Sequence, residues 1–182
     1  MSKKTGVLIV NLGTPDSPST SDVKRYLSEF LNDPRVIDIN PIGRKVLVNG
    51  IIVPSRGPKS AKEYKKLFKI GNGASPLLTY GKNLLKLVRE IGHKQFDVEL
   101  AMRYGNPSMN SILEKMRLAN YDQIIIFPLY PQYASATTGS IIEKAFKIIS
   151  KWWVIPEIKV IGQFYDDFRY LDCVKKVASS FD

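Results

Sequence analysis

The fold is decided by residues 96–129, FDVELAMRYGNPSMNSILEKMRLANYDQIIIFPL, in which two apolar runs flank one helical segment. The spacing of the apolar residues predicts a strand over 96–104, a helix over 108–118 and a second strand over 123–129. A helix between two strands of this kind is typical of a right-handed βαβ unit, in which the two strands are parallel. This stretch therefore predicts a parallel sheet.

The same alternation continues on both sides of this unit. Residues 6–12, GVLIVNL, predict a strand that is buried on both faces, and the spacing over 23–31 predicts the helix that follows it. Downstream, helices are expected over 138–152 and 167–179, with a strand over 158–164 between them. The expected fold is therefore α/β, with a doubly wound, largely parallel sheet.

The segment between the first strand and the βαβ unit is harder to interpret. Residues 36–53 mix apolar residues with charged residues and glycines, and the proline pair in 54–58, PSRGP, predicts a break. Short helical spacing follows over 59–69, and a turn-rich loop is expected over 71–76. Regular helical spacing resumes over 77–91.

The charge balance narrows the class of ligand. The 182 residues include 27 Lys and Arg against 17 Asp and Glu, a net charge of +10, which attracts nucleic acid, acidic lipid or a small carboxylate. The lysines are spread over several predicted helices without an arginine-rich run, which disfavours nucleic acid. The apolar runs are too short for a spanning helix. No signal peptide precedes the first strand, so we expect a cytoplasmic protein.

Cysteine and histidine are too scarce for several classes of site. The single Cys173 excludes an internal disulfide, a CxxC zinc site and a four-cysteine cluster built from this chain alone. The spacing of Cys173 is typical of a core residue of its helix. The single His93 follows a predicted helix end, at the amino end of the next strand, which favours a structural role. Trp152 and Trp153 are expected to close a helix against the core.

Ligands of open parallel sheets bind outside the carboxyl ends of the strands. The loop 129–140, LYPQYASATTGS, carries Tyr130, Tyr133 and several hydroxyl groups before a helix N-terminus, where an anionic group is favoured. The lone Gly13 does not form a GxGxxG motif, which disfavours a dinucleotide site. Arg56 and Arg103 have the fork that suits a carboxylate. These residues predict a partly apolar, carboxylate-bearing ligand, but they contain no complete catalytic apparatus.

At the same positions the sequence resembles the ferrochelatases, the enzymes that insert ferrous iron into a porphyrin at the end of haem biosynthesis. The resemblance covers essentially the whole chain, which in turn covers about the N-terminal half of the family. The motifs that carry it are GVLIVNLGTPDSP (6–18), YLSEFLNDPRVID (26–38), VPSRGPKSAKEY (53–64), ASPLLTY (74–80), MRYGNPS (102–108) and FPLYPQYASATTGS (127–140).

The resemblance implies a porphyrin cleft between two similar domains. Leu12 would face the macrocycle, where some relatives have a tyrosine, and this difference favours protoporphyrin over coproporphyrin. Arg56 would lie near the porphyrin carboxylates. Residues 46–53 match an apolar lip that touches the membrane in some members, which implies peripheral membrane contact. The porphyrin-binding residues implied are Leu12, Arg56, Tyr64, Ser75, Arg103 and Tyr104, and the loop interpretation adds Tyr130 and Tyr133.

The sequence departs from the family pattern at two places. Ser135 occupies the position of a cysteine that holds an iron–sulfur cluster in some relatives, so no cluster is expected. The catalytic histidine and its partner glutamate come later in the family, and His93 does not match that histidine. We therefore expect no catalytic residue and no bound cofactor in this chain, which would be inactive alone, with Fe²⁺ as a substrate of the intact enzyme.

Two further expectations concern organisation and class. Residues 1–152 would form an N-terminal chelatase-like α/β domain, and 153–182 the first strand and helix of a second, truncated domain. A non-catalytic module that binds a tetrapyrrole or another anionic ligand stays open as an alternative. The sequence that follows Asp182 separates the two classes, because a strand ending in histidine favours the enzyme and a stop codon favours the module.

Overall fold

The computed structural model describes residues 3–92 and 95–181, within which four parallel strands form one sheet in the order β2-β1-β3-β4. The α/β class and the parallel sheet that the sequence predicts are thereby confirmed, since helices cover both faces of this sheet. The strands are β1 (Thr5–Thr14), β2 (Asp97–Gly105), β3 (Gln123–Pro128) and β4 (Glu157–Val160).

Helices fill the connections between the strands. Ser19, Ser108 and Asp167 begin three of them, because each side chain accepts a hydrogen bond from a backbone N–H of the first turn. The helices are α1 (Thr20–Leu31), α2 (Pro41–Lys45), α3 (Val53–Ile70), α4 (Pro76–Ile91), α5 (Met109–Leu118), α6 (Ser140–Ile149) and α7 (Phe168–Ala178), with π-helical turns over Val46–Ile52 and Ser135–Gly139.

The core lies on both faces of the sheet, as the continuous apolar strands require. Alternate residues of β1 point to opposite faces: Leu8 and Val10 pack toward α5 and α6, whereas Val7 and Ile9 pack toward α4. All four side chains are buried. Strand β1 therefore lies at the centre of the sheet, between β2 and β3, and beyond Val10 it pairs with β2 alone.

The break expected over 54–58 is wrong. The chain continues helically from α2 through the π-helical turn into α3, which includes both Pro54 and Pro58. The N–H of Val53, just before Pro54, donates to the Val48 carbonyl, so the π-helical turn leads directly into α3. The Ser55 hydroxyl also donates to the carbonyls of Ile51 and Ile52 at 2.7 and 3.1 Å, so it satisfies acceptors that the irregular turn exposes.

Two expectations about packing near the C-terminus are also wrong. Trp152 packs against the core, but Trp153 is 99% exposed, because the chain turns away from α6 before it enters β4. Cys173 is exposed, since α7 buries none of its side chains. His93 lies outside the described residues. The boundary between residues 152 and 153 stays a prediction: β4 extends the same sheet through β3, and α7 buries none of its side chains, although its Tyr170 ring meets Phe164 edge-on.

Candidate functional site

The carboxyl ends of β1 and β2 bring three predicted site residues together. Asn11 pairs with Met102 and Gly13 with Tyr104, so Leu12 and Arg103 lie at the same level of neighbouring strands. Leu12 is half-buried, and Tyr104 is fully buried. The parallel register, rather than nearness in sequence, therefore brings residues 12 and 103 together.

A buried carboxylate organises this edge. Asp33, which follows the C-terminus of α1, is 5% exposed and accepts hydrogen bonds from three side chains. The Tyr104 hydroxyl donates to Asp33 Oδ2 at 2.8 Å, and the Ser140 hydroxyl and the Arg103 guanidinium donate to the same oxygen. The backbone N–H of Arg35 donates to Oδ1 at 2.8 Å. One side chain thus links α1, β2 and α6.

The electrostatics of the cluster follow from this arrangement. Burial alone would raise the pKa of the Asp33 carboxyl, but donors from Ser140, Arg35 and Tyr104 and the charge of Arg103 hold it below its usual range. Burial raises the pKa of the Tyr104 hydroxyl, which stays protonated as a donor. The Arg103 guanidinium also lies 4.4 Å from the centre of the Tyr104 ring. Asp33 and Arg103 therefore form a hydrogen-bonded ion pair rather than a pair that exchanges a proton.

The loop before α6 is tied to the same cluster. Arg103 Nε donates to Ser140 Oγ at 2.7 Å, and Arg35 Nη1 donates to Ser135 Oγ at 3.0 Å. Arg35 also forms an ion pair with Glu143 one turn into α6. Ser135 is thus held by an arginine.

Two buried hydroxyl groups in this loop have no partner among the described residues, namely those of Tyr130 and Thr138. Tyr130 packs against the core cluster under α6, and its burial raises the pKa of its hydroxyl to about 12. Tyr133 lies further along the loop and is 55% exposed. The loop therefore presents one tyrosine to solvent and holds the other against the sheet.

A series of aromatic ring contacts connects Tyr64 to the carboxyl edge of the sheet. Its ring meets Tyr26 edge-on at 6.1 Å, Tyr26 stacks on Phe30 at 6.2 Å, and Phe30 meets Tyr104 edge-on at 5.1 Å. The Tyr26 hydroxyl donates to the Gly13 carbonyl at 3.3 Å. Helix α1 thus connects α3 to the carboxyl end of the sheet.

Ser75 and Arg56 lie apart from the cluster. Helix α4 runs antiparallel to the strands, because Arg89 near its end reaches the Val98 carbonyl whereas Gly81 lies beside Met102. Ser75 begins this helix and is therefore at the carboxyl edge, where it is 5% exposed. Arg56 is exposed on α3 and forms no side-chain hydrogen bond within the described residues.

The sequence interpretation missed three important residues of this edge. It does not single out Asp33 or Phe30, and it includes Ser140 only as the last residue of the loop 129–140. The available signal for Asp33 was an acidic residue between a helix and a proline, which is ordinary turn chemistry. Its burial depends on β2 and α6, which lie about 70 and 107 residues further along the chain.

The described residues contain no group of three or more acidic, histidine or cysteine side chains that could hold a metal ion. The cavity nearest the edge has a volume of about 190 Å³ and is lined by Thr14, Asp16, Arg25 and Glu29 among others. Its lining mixes polar and apolar surface, and its volume is below the about 300–1,000 Å³ typical of small-molecule pockets. No helix in the described residues is both long and apolar enough to cross a bilayer.

An open parallel sheet whose carboxyl edge gathers aromatic, arginine and hydroxyl side chains defines an α/β ligand-binding domain. The sequence matches the ferrochelatase family model over residues 4–180. The chain belongs to the ferrochelatase family.

Curated relatives agree with this assignment. A ferrochelatase of Francisella tularensis subsp. tularensis (strain WY96-3418) is 41% identical over 174 residues, which are 95% of this chain and 52% of that protein. A ferrochelatase of Chromobacterium violaceum is 40% identical over 172 residues, 92% of this chain and 47% of that protein. The chain thus spans about half the length of the curated relatives that it matches.

Proposed function

We propose that this chain is the N-terminal part of a ferrochelatase that inserts Fe²⁺ into a porphyrin, with protoporphyrin IX as the favoured substrate. The observation that carries the proposal is the family match over residues 4–180. The geometry supports it, because Leu12, Arg103 and the Tyr130 loop lie at one edge of the sheet. In this proposal the chain supplies one wall of the porphyrin site.

The chemistry of metal insertion explains why one wall of the porphyrin site is not sufficient for turnover. Insertion of Fe²⁺ replaces two pyrrole N–H protons, so a base must accept both protons as the two nitrogens bind the metal. Bending the ring exposes the nitrogen lone pairs, and contacts to its remote parts supply the energy for bending. The described residues offer apolar and cationic contacts. We propose that the base comes from outside this chain and that the chain alone is inactive.

The structure suggests different roles for the proposed porphyrin-binding residues. Leu12 and Tyr133 have accessible surface and can contact the macrocycle directly. Arg56 is exposed and can bind a propionate. Arg103 is 13% exposed at its side chain, and the buried Tyr104 can only support the wall from behind. The remaining candidates are Tyr64, Ser75 and Tyr130, which are buried or half-buried.

The proposal is tested by anaerobic incubation of the full-length gene product with Fe²⁺ and either protoporphyrin IX or coproporphyrin III. We expect loss of free-porphyrin fluorescence, faster with protoporphyrin, and no turnover by the 182-residue chain. Replacing Arg56 with alanine should weaken porphyrin binding about tenfold, as loss of a charged hydrogen bond does. The matched control is Lys62→Ala, another exposed cation on α3.

Each contrary outcome has a separate meaning. Porphyrin binding without insertion by the full-length protein would favour the non-catalytic module. Turnover by the 182-residue chain would show that the base lies within it. Unchanged affinity of Arg56→Ala would remove Arg56 from the site.

We also propose that the helical segment 41–70 contacts an anionic membrane surface. Ile42, Val46 and Ile51 are 78%, 63% and 60% exposed, which gives the segment an apolar end. Beyond them, α3 turns four exposed lysines away from its buried side, at positions 59, 62, 66 and 69. Exposed apolar residues next to a basic face are typical of helices that lie in a lipid interface.

This membrane contact is tested by flotation with phosphatidylcholine vesicles that contain or lack phosphatidylglycerol. We expect binding to the anionic vesicles only, weakened by salt, and about fivefold weaker for each lysine replaced by glutamine. The variant Ile51→Gln should also weaken binding, whereas Ile91→Gln, at a more exposed site at the end of α4, should not. Equal flotation with both vesicle types would contradict the proposal.

A further inference from the structure

Asp33 lies where no ligand can touch it, yet it holds three separate elements of the carboxyl edge. Its side chain is 3% exposed, and its four donors come from the segment after α1, the end of β2 and the start of α6. A buried ion pair of this kind contributes little net stability compared with apolar packing. The arrangement therefore suggests a role other than stability.

The elements joined by Asp33 are those that frame the Tyr130 loop. Ser140 fixes the downstream end of the loop, and Arg103 reaches both the carbonyl and the hydroxyl of Ser140. Arg35 holds Ser135 within the loop, while its own backbone N–H is bound to Asp33. A displacement of the carboxylate would thus be transmitted to the loop at two points.

The packing inside the loop leaves little freedom to absorb such a displacement. A Cβ placed on Gly139 would lie 3.0 Å from the Tyr133 hydroxyl and 3.1 Å from Arg35 Nη1. Both side chains therefore rest against the glycine backbone. Tyr133, the exposed aromatic residue of the loop, and Arg35 thus lie against the same glycine.

We propose that Asp33 is a positioning residue that holds Arg103 and the Tyr130–Ser140 loop in the orientation required for porphyrin binding. The inference rests on the proposed function, since it assigns a role within the same site. It adds a residue that does not contact the ligand and acts through Arg103, Ser140 and Arg35. No other carboxylate among the described residues receives donors from both Arg103 and Ser140.

The test compares mesoporphyrin binding by the full-length gene product with binding by its Asp33→Asn variant, by fluorescence titration far below the unfolding temperature. We expect about tenfold weaker binding, the loss typical of removing a supporting hydrogen-bond partner, and a shifted absorption band of the bound porphyrin. The matched control is Asp38→Asn, an exposed aspartate in the same connection. Its affinity and spectrum should equal those of the unchanged protein.

Asp33→Asn leaves Arg103 without its counter-ion, so a second variant is needed in case this protein does not fold. Ser140→Ala keeps the ion pair and removes one donor, and we expect several-fold weaker binding with the same spectral shift. A purely structural role would lower the unfolding temperature of either variant without changing the affinity or spectrum of folded molecules, and that result would overturn the inference. Failure of the unchanged protein to bind mesoporphyrin would instead contradict the proposed function.

Discussion

Replacing Gly13 with alanine is expected to abolish cooperative folding or to lower the free energy of unfolding by more than about 4 kcal/mol. Gly13 adopts φ +112°, which alanine rarely adopts, and an added Cβ would lie 1.8 Å from the Tyr104 carbonyl oxygen. Neither backbone can move freely, because Gly13 and Tyr104 are paired in neighbouring strands. Thermal unfolding followed by circular dichroism measures the effect.

The control for this experiment is Gly50→Ala. Gly50 lies in the π-helical turn Val46–Ile52, and an added Cβ would meet no atom within 4 Å. Because alanine favours helical backbone by about 1 kcal/mol over glycine, the unfolding temperature should rise by a few degrees. A Gly13→Ala variant with an unchanged unfolding temperature would contradict the close approach of β1 and β2.

The second large effect is expected when Arg103 is replaced by glutamine. This substitution leaves the Asp33 carboxylate buried without its counter-ion, which should cost about 3–5 kcal/mol near neutral pH. In the unchanged chain the pKa of Asp33 lies below its unfolded value, so its stabilising contribution is complete above about pH 4 and is lost as the pH falls through the folded pKa. Urea unfolding at several pH values measures the difference.

The pH dependence of the difference in stability distinguishes a buried carboxylate without its counter-ion from simple loss of packing. Without Arg103, the pKa of Asp33 loses one of the causes that lower it, so the carboxyl of the variant takes up a proton at a higher pH than in the unchanged chain. The difference in stability should therefore shrink with decreasing pH. A difference that stays constant would contradict this interpretation. Arg117→Gln, which removes a surface ion pair with Glu114, should change stability little at any pH.

Sequence periodicity was sufficient for the regular elements because the residues that define them are close together in the chain. The apolar run in 123–129 and the helical spacing in 108–118 each span a few turns or pleats, and both elements occur in the structure. Periodicity was misleading over 54–58, where two prolines predicted a break. The preceding π-helical turn alters which carbonyls need a donor, and local spacing does not report that change.

The order of the strands and the composition of the carboxyl edge depend on contacts between residues that are distant in the chain. The sequence identified Leu12, Arg103 and Tyr130 as residues that follow strands, and the rule for open sheets placed them at the same edge. It could not identify Asp33 or Ser140, because a turn aspartate and a helix-starting serine are common everywhere. The resemblance to one family, in contrast, was readable from ordered motifs along the chain, and the family match agrees with it.

The sequence by itself determined a parallel α/β sheet, the loops at its carboxyl edge and membership of a family, since each depends on residue patterns within short windows. Only the tertiary structure decided that Asp33 is buried, that it binds Arg103, Tyr104 and Ser140, and that α7 buries none of its side chains. The reason is that burial depends on elements that are distant in the chain. A side chain's desolvation, and hence its charge and its partners, is fixed only when those elements meet.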